Sequence, residues 1–358
     1  MTPRPRWWLP LLLAPLFACG GGSASGEELR REVLRSLTDE LLLPSVEALG
    51  RDAHALAEAC DALAAAPGSA TLADARERFR GLRATWRRGE VCVLGPLEAT
   101  LVALRVDTPL DRGALEACLA DATPIDANYA AGLGYGAKGF EALAALLFEG
   151  EPDARERALA QHAAAELGVG IDGIVAAWTR AGGLADDLRD PGPGRAFADA
   201  DAGVDALVRR AVVLVQDARD RELAPLVGGT SKGVVQVLPA DFDRARQHRL
   251  DLIERFRGLR LLYAGGEPGS EAAEGAGRGL SALIARVSAR SDAAVRAALS
   301  RAVEAMERMP AELEAASRDD APELRAAYDA STHVKTHLGV TVVSTLGTTL
   351  GFALADGD

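Results

Sequence analysis

Aromatic residues make up only 4% of this 358-residue chain. Sheets draw on bulky and β-branched side chains, so the shortage argues against a β-rich interior, and the alanine that recurs throughout favours closely packed helices. Cysteine is sparse as well, with four residues and no C-x-x-C pair, which removes a zinc knuckle or a thioredoxin-type redox site. H-E-x-x-H does not occur, so no zinc grip is coupled to a general base. An excess of positive charge is also missing. The formal net charge is −12, a field that repels phosphate backbones, and nucleic acid is not an expected partner. An acidic balance favours cations, although it is also an ordinary means of staying in solution. What is present, 48% hydrophobic and 26% charged residues, suits one or two globular domains with a sizeable core and excludes wholesale disorder.

Residues 1–18 carry Arg4 and Arg6, then an apolar run from Trp7 to Phe17, then Ala18 before Cys19. Such a run, broken by Pro10 and Pro15, is too short to cross hydrocarbon that needs about 20 residues. It reads as a lipoprotein signal peptide, with Leu16-Phe17-Ala18-Cys19 as the lipobox and Cys19 as the lipidated residue. Residues 19–26 follow as a Gly/Ser tether between lipid and domain. Gly20 stands where an acid would favour retention at the inner membrane. The expected address is therefore an outer-membrane anchor facing the periplasm, with the membrane a partner through the lipid on Cys19. Cys60, Cys92 and Cys118 remain, either as one disulfide with a spare thiol or as three buried apolar residues.

Past the tether, helical periodicity dominates and the fold class is all-α. Ala160, Ala163, Leu167, Ile171, Ile174 and Trp178 recur at intervals of three or four on a segment from about 152 to 179, the pattern of a bundle core face. Val204, Leu207, Val208, Ala211, Val212 and Val215 repeat it. Breaks fall at 66–68, 108–109, 123–124, 150–152, 265–269 and 320–322, where Pro and Gly end helices. Asp190-Pro191-Gly192-Pro193-Gly194 is the strongest linker and divides the chain into an N-terminal bundle, 27–189, and a C-terminal bundle, 195–358. The stretch 143–152 echoes 259–268, a leucine-rich helix end followed by Gly-Glu-Pro, after one gap. Two helical bundles related by a pseudo-repeat follow.

Gly134-Tyr135-Gly136-Ala137-Lys138-Gly139 fits G-x-G-x-x-G, yet residues 127–133 lack the β-branched alternation of the strand that a dinucleotide site requires. A loosened start to the next helix is the expected role. His54, His162 and His248 stand in no nucleophile–base arrangement and are expected at surface or core positions. His333 and His337, four apart, share one helix face, with Asp329 a turn earlier; they form a candidate metal pair or a solvated face. Asp356 and Asp358 close the chain as candidate cation ligands or a solvated end. Val340–Ala355 has no charge, but its threonines, glycines and length point to a buried helix.

Residues 138–150, Lys138-Gly139-Phe140-Glu141-Ala142-Leu143-Ala144 onward, resemble the motif region of the imelysin-like family, where a glycine precedes G-x-H-x-x-E and an apolar helix end. Gly139 matches the glycine, whereas Glu141 stands at the histidine position and Ala144 at the glutamate position. Two further patches are similar to the family: 79–86 with Trp86 leading to Gly95-Pro96, and the ending 346–358 with its Gly-Phe and Asp-Gly-Asp. The resemblance implies two helical bundles and either a peptidase activity or an envelope role tied to iron uptake. His and Glu three apart would grip a metal from one helix face; a methyl at 144 coordinates nothing, leaving Glu141 as one carboxylate of a site completed elsewhere, by His333 and His337. The expected function is a non-catalytic envelope lipoprotein that binds a ligand or partner between the bundles, in the service of metal or iron acquisition, with a divalent metal or iron as the implied cofactor. The alternatives are a metallopeptidase with a rearranged site and a structural lipoprotein.

Overall fold

The computed structural model describes residues 26–100, 105–228, 230–231, 234–235, 247–266 and 278–348. The signal segment, Cys19, the tether up to residue 25, and the ending with Asp356 and Asp358 lie outside the described residues.

Helices make the fold, and a two-residue antiparallel pairing of Thr230–Ser231 with Val234–Val235 is the exception among the described residues. In the first half, Leu43–Ala65 turns at 66–68 into Ser69–Gly89 and packs on it, as a short connection requires. Ala154–Thr179 lies along Leu43–Ala65, and Phe140–Phe148 fills the space beside Ser69–Gly89 and Ala154–Thr179. The Ala154–Thr179 helix starts on a capping box in which Asp153 and Glu156 satisfy each other's backbone amides. Its stripe from Ala160 to Trp178 is buried as the spacing predicts, and Val204, Leu207, Val208, Ala211 and Val215 are buried on Ala200–Asp217. In the second half, His248–Ala264, Ala289–Arg308 and Pro322–Thr336 pack in sequence, and Ala200–Asp217 closes on the last.

The halves share one continuous apolar core. Gly26–Leu37 packs against Ala200–Asp217 and Leu280–Val287 of the second half, then passes through a π-helical segment, Thr38–Leu42, into Leu43–Ala65 of the first. One helical rod thus begins in one half and ends in the other. Thr38 is buried inside the segment, and its hydroxyl donates to the Leu34 carbonyl at 2.7 Å, the back-bonding expected of a threonine held inside a helix. A second joint is the crossing of Ser69–Gly89 with His248–Ala264. There a Cβ on Gly258 would stand 2.2 Å from the Arg88 carbonyl oxygen. Gly258→Ala must push two helix backbones apart and is expected to cost about 1–3 kcal/mol, the range for overpacking; a urea midpoint equal to wild type would refute this tight crossing.

The echo pairs two helix ends, Phe140–Phe148 and His248–Ala264, with 267–268 outside the described residues. Cys60, Cys92 and Cys118 are all buried and free. Burial, helped by Asp61, pushes the Cys60 thiol up to about 12, and burial pushes Cys92 up to about 12 against the pull of Arg210. Neither thiol is poised to react.

Candidate functional site

The motif-bearing helix starts at Gly139, its N-cap, and ends at Phe148. Glu141 lies in its first turn and points at the seam between the halves. There the Arg83 guanidinium holds it, Nη2 to Oε1 at 2.7 Å. The same Nη2 lies 2.6 Å from Asp251 Oδ2, and Arg83 Nε donates to both Asp251 oxygens at 2.9 and 3.0 Å. Arg83 and Asp251 are almost wholly buried, with side chains 3% and 2% exposed, while Glu141 keeps 33%. One cation from Ser69–Gly89 therefore bridges a carboxylate of the first half and one of the second.

The bridge is part of a longer chain of charges. Arg87 donates to Glu90 and Asp107 at 2.6 Å each and lies 3.4 Å from Asp251. Arg255 donates to Glu90 at 2.6 Å and to Glu222, and Arg210 donates to the Glu90 carbonyl at 3.0 Å. Arg88 reaches Glu254 at 2.7 Å. Helix geometry explains the convergence: Arg83 and Arg87, and likewise Asp251 and Arg255, are four apart and share a face. Two such faces meet where Ser69–Gly89 crosses His248–Ala264.

Burial alone would push the carboxyls up. For Asp251 the guanidiniums of Arg83 and Arg87 more than reverse that, and the carboxyl is held below its usual range. Glu90 is lowered by Arg255 and Arg87, and Asp107 by Arg87, Arg83 and Arg255, each against the same burial. Burial likewise works against the charge of Arg83, but Asp251 and Glu141 raise it above the ordinary arginine value. Asp251, Glu90 and Asp107 thus stay ionised at neutral pH, as do Arg83, Arg87 and Arg255. These three carboxyls are therefore not poised to exchange protons near pH 7.

The remaining candidates lie elsewhere. Ala144 is buried in the apolar core three residues beyond Glu141. His333 and Asp329 stand on Pro322–Thr336, and His337 opens the π-helical segment His337–Val342. Burial lowers the His337 pKa, and His333 and Arg301 lower it further. Among the described residues, no group of three or more His, Cys, Asp or Glu side chains stands close enough to hold a metal ion. Glu141, His333 and His337 are thus not brought together as a metal site, and Glu141 is engaged by Arg83. His54 pairs with Asp172 on the surface at 3.2 Å, His162 is half-buried, and His248 opens the His248–Ala264 helix.

Trp86 is buried, its ring 6.4 Å from that of Phe140, and Phe79 meets Phe140 edge-on at 5.9 Å. These rings seat the motif helix against Ser69–Gly89, and the Arg83 guanidinium lies 5.8 Å from the Phe140 ring centroid.

An all-α protein of this shape, with a motif helix turned into a seam between two helical halves, belongs to a known structural class. The sequence pattern of the Peptidase_M75 family, imelysin, matches residues 42–338, and the chain belongs to that family. It is 29% identical over 172 residues to "Iron-regulated protein A" of Synechococcus elongatus (strain ATCC 33912 / PCC 7942 / FACHB-805). That match covers 47% of this chain and 46% of the relative, so the chain spans about half the length of the curated relative it matches. Two crystal structures share the fold. One, described as an iron-regulated protein A precursor from Parabacteroides distasonis ATCC 8503, has a TM-score of 0.75 at 18% identity, with 91% of this chain and 97% of that one covered. The other, an imelysin-like protein from Psychrobacter arcticum 273-4, has a TM-score of 0.71 at 20% identity, with 92% and 98% covered.

Proposed function

We propose that this chain is a non-catalytic binding component of a bacterial envelope, exported, held by a lipid on Cys19 at the outer membrane facing the periplasm, and serving metal or iron acquisition. The observation that carries the non-catalytic reading is Arg83, whose guanidinium is already the shared cation of Glu141 and Asp251. A family-type metal does not fit these residues. Of the motif's ligand positions, one holds a carboxylate spent on an arginine and the other a buried methyl group. No catalytic step is assigned to a metal here. The iron link is supported by the name of the Synechococcus relative, and the anchor by the lipobox at 16–19. The surface assigned to a ligand or envelope partner is the rim of the seam, where Glu141 keeps 33% of its side chain exposed.

Elemental analysis after metal loading and desalting is expected to find less than stoichiometric zinc, manganese or iron, unchanged by His333→Ala/His337→Ala. Casein and small peptides are expected to survive incubation with the purified chain. Chelator-sensitive cleavage by clean protein would sink the reading. For the address, radiolabelled palmitate is expected to enter the wild-type chain and not Cys19→Ala, and protein abundance is expected to rise when cells are starved of iron.

A further inference from the structure

The G-x-G-x-x-G segment that lacks a strand forms one wall of a surface cavity of about 380 Å³, lined by Arg105, Leu133, Tyr135, Lys138 and Glu166 among others. Its glycine at 136 serves close approach. A Cβ there would lie 2.9 Å from Asp111 Cβ and 3.0 Å from the Asp111 nitrogen and the Pro109 oxygen, and the Gly136 carbonyl accepts from the Asp111 amide at 2.9 Å. The loop is thereby pinned, and with it Tyr135.

The wall is built in a definite order. Arg105 Nε donates to the Tyr135 hydroxyl at 3.0 Å, with its guanidinium 5.6 Å from the ring centroid. The Lys138 ammonium lies 5.7 Å from the same ring. Lys138, with a side chain 5% exposed, donates to the carbonyls of Ala130 and Ala131 at 3.1 and 3.0 Å and to Glu166 Oε2 at 3.1 Å. Each group has a consequence. A tyrosine hydroxyl that accepts from a guanidinium still has its own proton to donate. The planar terminal N–H groups of an arginine match an oxyanion. The Lys138 hydrogens are spent on protein, but its charge, set in a poorly solvated wall, still adds to the potential felt in the cavity. Glu166, which pairs with Lys138 at 3.1 Å and also lines the cavity, offsets part of that charge.

We propose that this cavity binds a small organic monocarboxylate, gripped by Arg105 and the Tyr135 hydroxyl and backed by the Lys138 charge, with its short carbon chain against Leu133. Phosphate has no carbon chain to place against Leu133, which is the contact that favours an organic carboxylate over it. The site shares no residue with the charged seam and does not depend on the reading of that seam.

Calorimetric titration of the full mature chain with acetate, propionate, butyrate and inorganic phosphate tests it. A monocarboxylate is expected to bind one to one and more tightly than phosphate. Arg105→Gln is expected to weaken it by about tenfold or more, and Tyr135→Phe, which keeps the ring near both cations, by several-fold. Glu166→Gln is expected to tighten it, because it removes the negative charge next to the ligand. Thermal melts of each variant report folding, and Tyr135→Phe, the loss of one oxygen, keeps the test valid if a charge variant fails to fold. The proposal is overturned if no carboxylate binds the folded wild type at millimolar concentration, if phosphate binds more tightly, or if Arg105→Gln and Tyr135→Phe leave affinity unchanged. Weaker binding in Glu166→Gln overturns it as well, since that carboxylate would then be holding the cationic end of a zwitterion.

Discussion

Arg83→Met is expected to lower the stability of the chain by about 3–5 kcal/mol, the cost of removing one partner from a buried ion pair. The loss is not that of an ordinary salt bridge. Asp251 is buried and receives three hydrogen-bonding contacts from Arg83, so the variant strands a carboxylate that water cannot reach. Arg87 Nε, 3.4 Å away, is the nearest remaining guanidinium, and it already serves Glu90 and Asp107. Replacing the charges together is a different matter. Arg83→Met/Asp251→Leu/Glu141→Gln removes the stranded charge with its partner and is expected to recover much of the loss. Chemical denaturation of the three proteins checks this. If the single variant cost less than about 1 kcal/mol, typical of exposed pairs, the seam would be a solvated surface and Arg83 no substitute for a bound cation.

The same arithmetic explains why the family motif can change without collapse of the fold. A carboxylate at 141 beside Asp251 would repel it in a poorly solvated place; one guanidinium between the two cancels that repulsion and ties the halves together. Whether a relative binds metal there or not, two carboxylates facing each other across a seam need a cation. In this chain the cation is covalently attached.

Much of the frame was legible in the residues. The Ala160–Trp178 stripe lies in the core because a period near 3.6 can be satisfied only by a helix with one buried face. The helix stops at 66–68, 150–152 and 320–322 were legible for a similar reason, since proline and glycine act locally. The seam was not legible. His248–Ala264 is buried nearly all round, so its apolar residues show no single stripe, and Asp251, Glu254 and Arg255 pass for a solvated face. A usable signal did exist: Arg83 and Arg87 are interleaved with Leu82 and Trp86, and Asp251 and Arg255 with Leu252 and Phe256. Charges four apart within an apolar segment are pulled inside together, and inside they must find one another. The pairing of Glu141 with His333 and His337 failed for the complementary reason. Sequence spacing places residues on one helix face but is silent on which faces meet. The π-helical joint at Thr38–Leu42 is equally hidden, because one extra residue in a turn is set by the packing of both halves and carries no residue signature.

Acid is expected to unfold this protein through the seam, and the sign follows from the carboxyls. Asp251, Glu90 and Asp107 are held below their ordinary range in the folded chain by the neighbouring guanidiniums. Groups depressed by folding contribute stability that is complete above the unfolded carboxylate range, near pH 4, and is lost as the pH falls through the folded values. Asp217 works the other way: burial raises it against the pull of Arg221 and Arg255, so it favours the folded chain slightly more as the medium becomes acidic. With Asp121, which hydrogen bonds from Thr123 hold low, four depressed carboxyls oppose one raised one, and the net trend is loss. The urea midpoint is therefore expected to fall a little between pH 7 and about pH 5, where the depressed His337 takes up its proton more readily in the unfolded chain, and to fall steeply below about pH 4. In Arg83→Met the nearest counter-charge of Asp251 is gone and burial then dominates its titration, so the fall begins at higher pH than in wild type. Superimposable acid limbs for the two proteins would mean that Asp251 does not draw its ionisation from Arg83, and the bridge across the seam would have to be abandoned as the element that binds the halves.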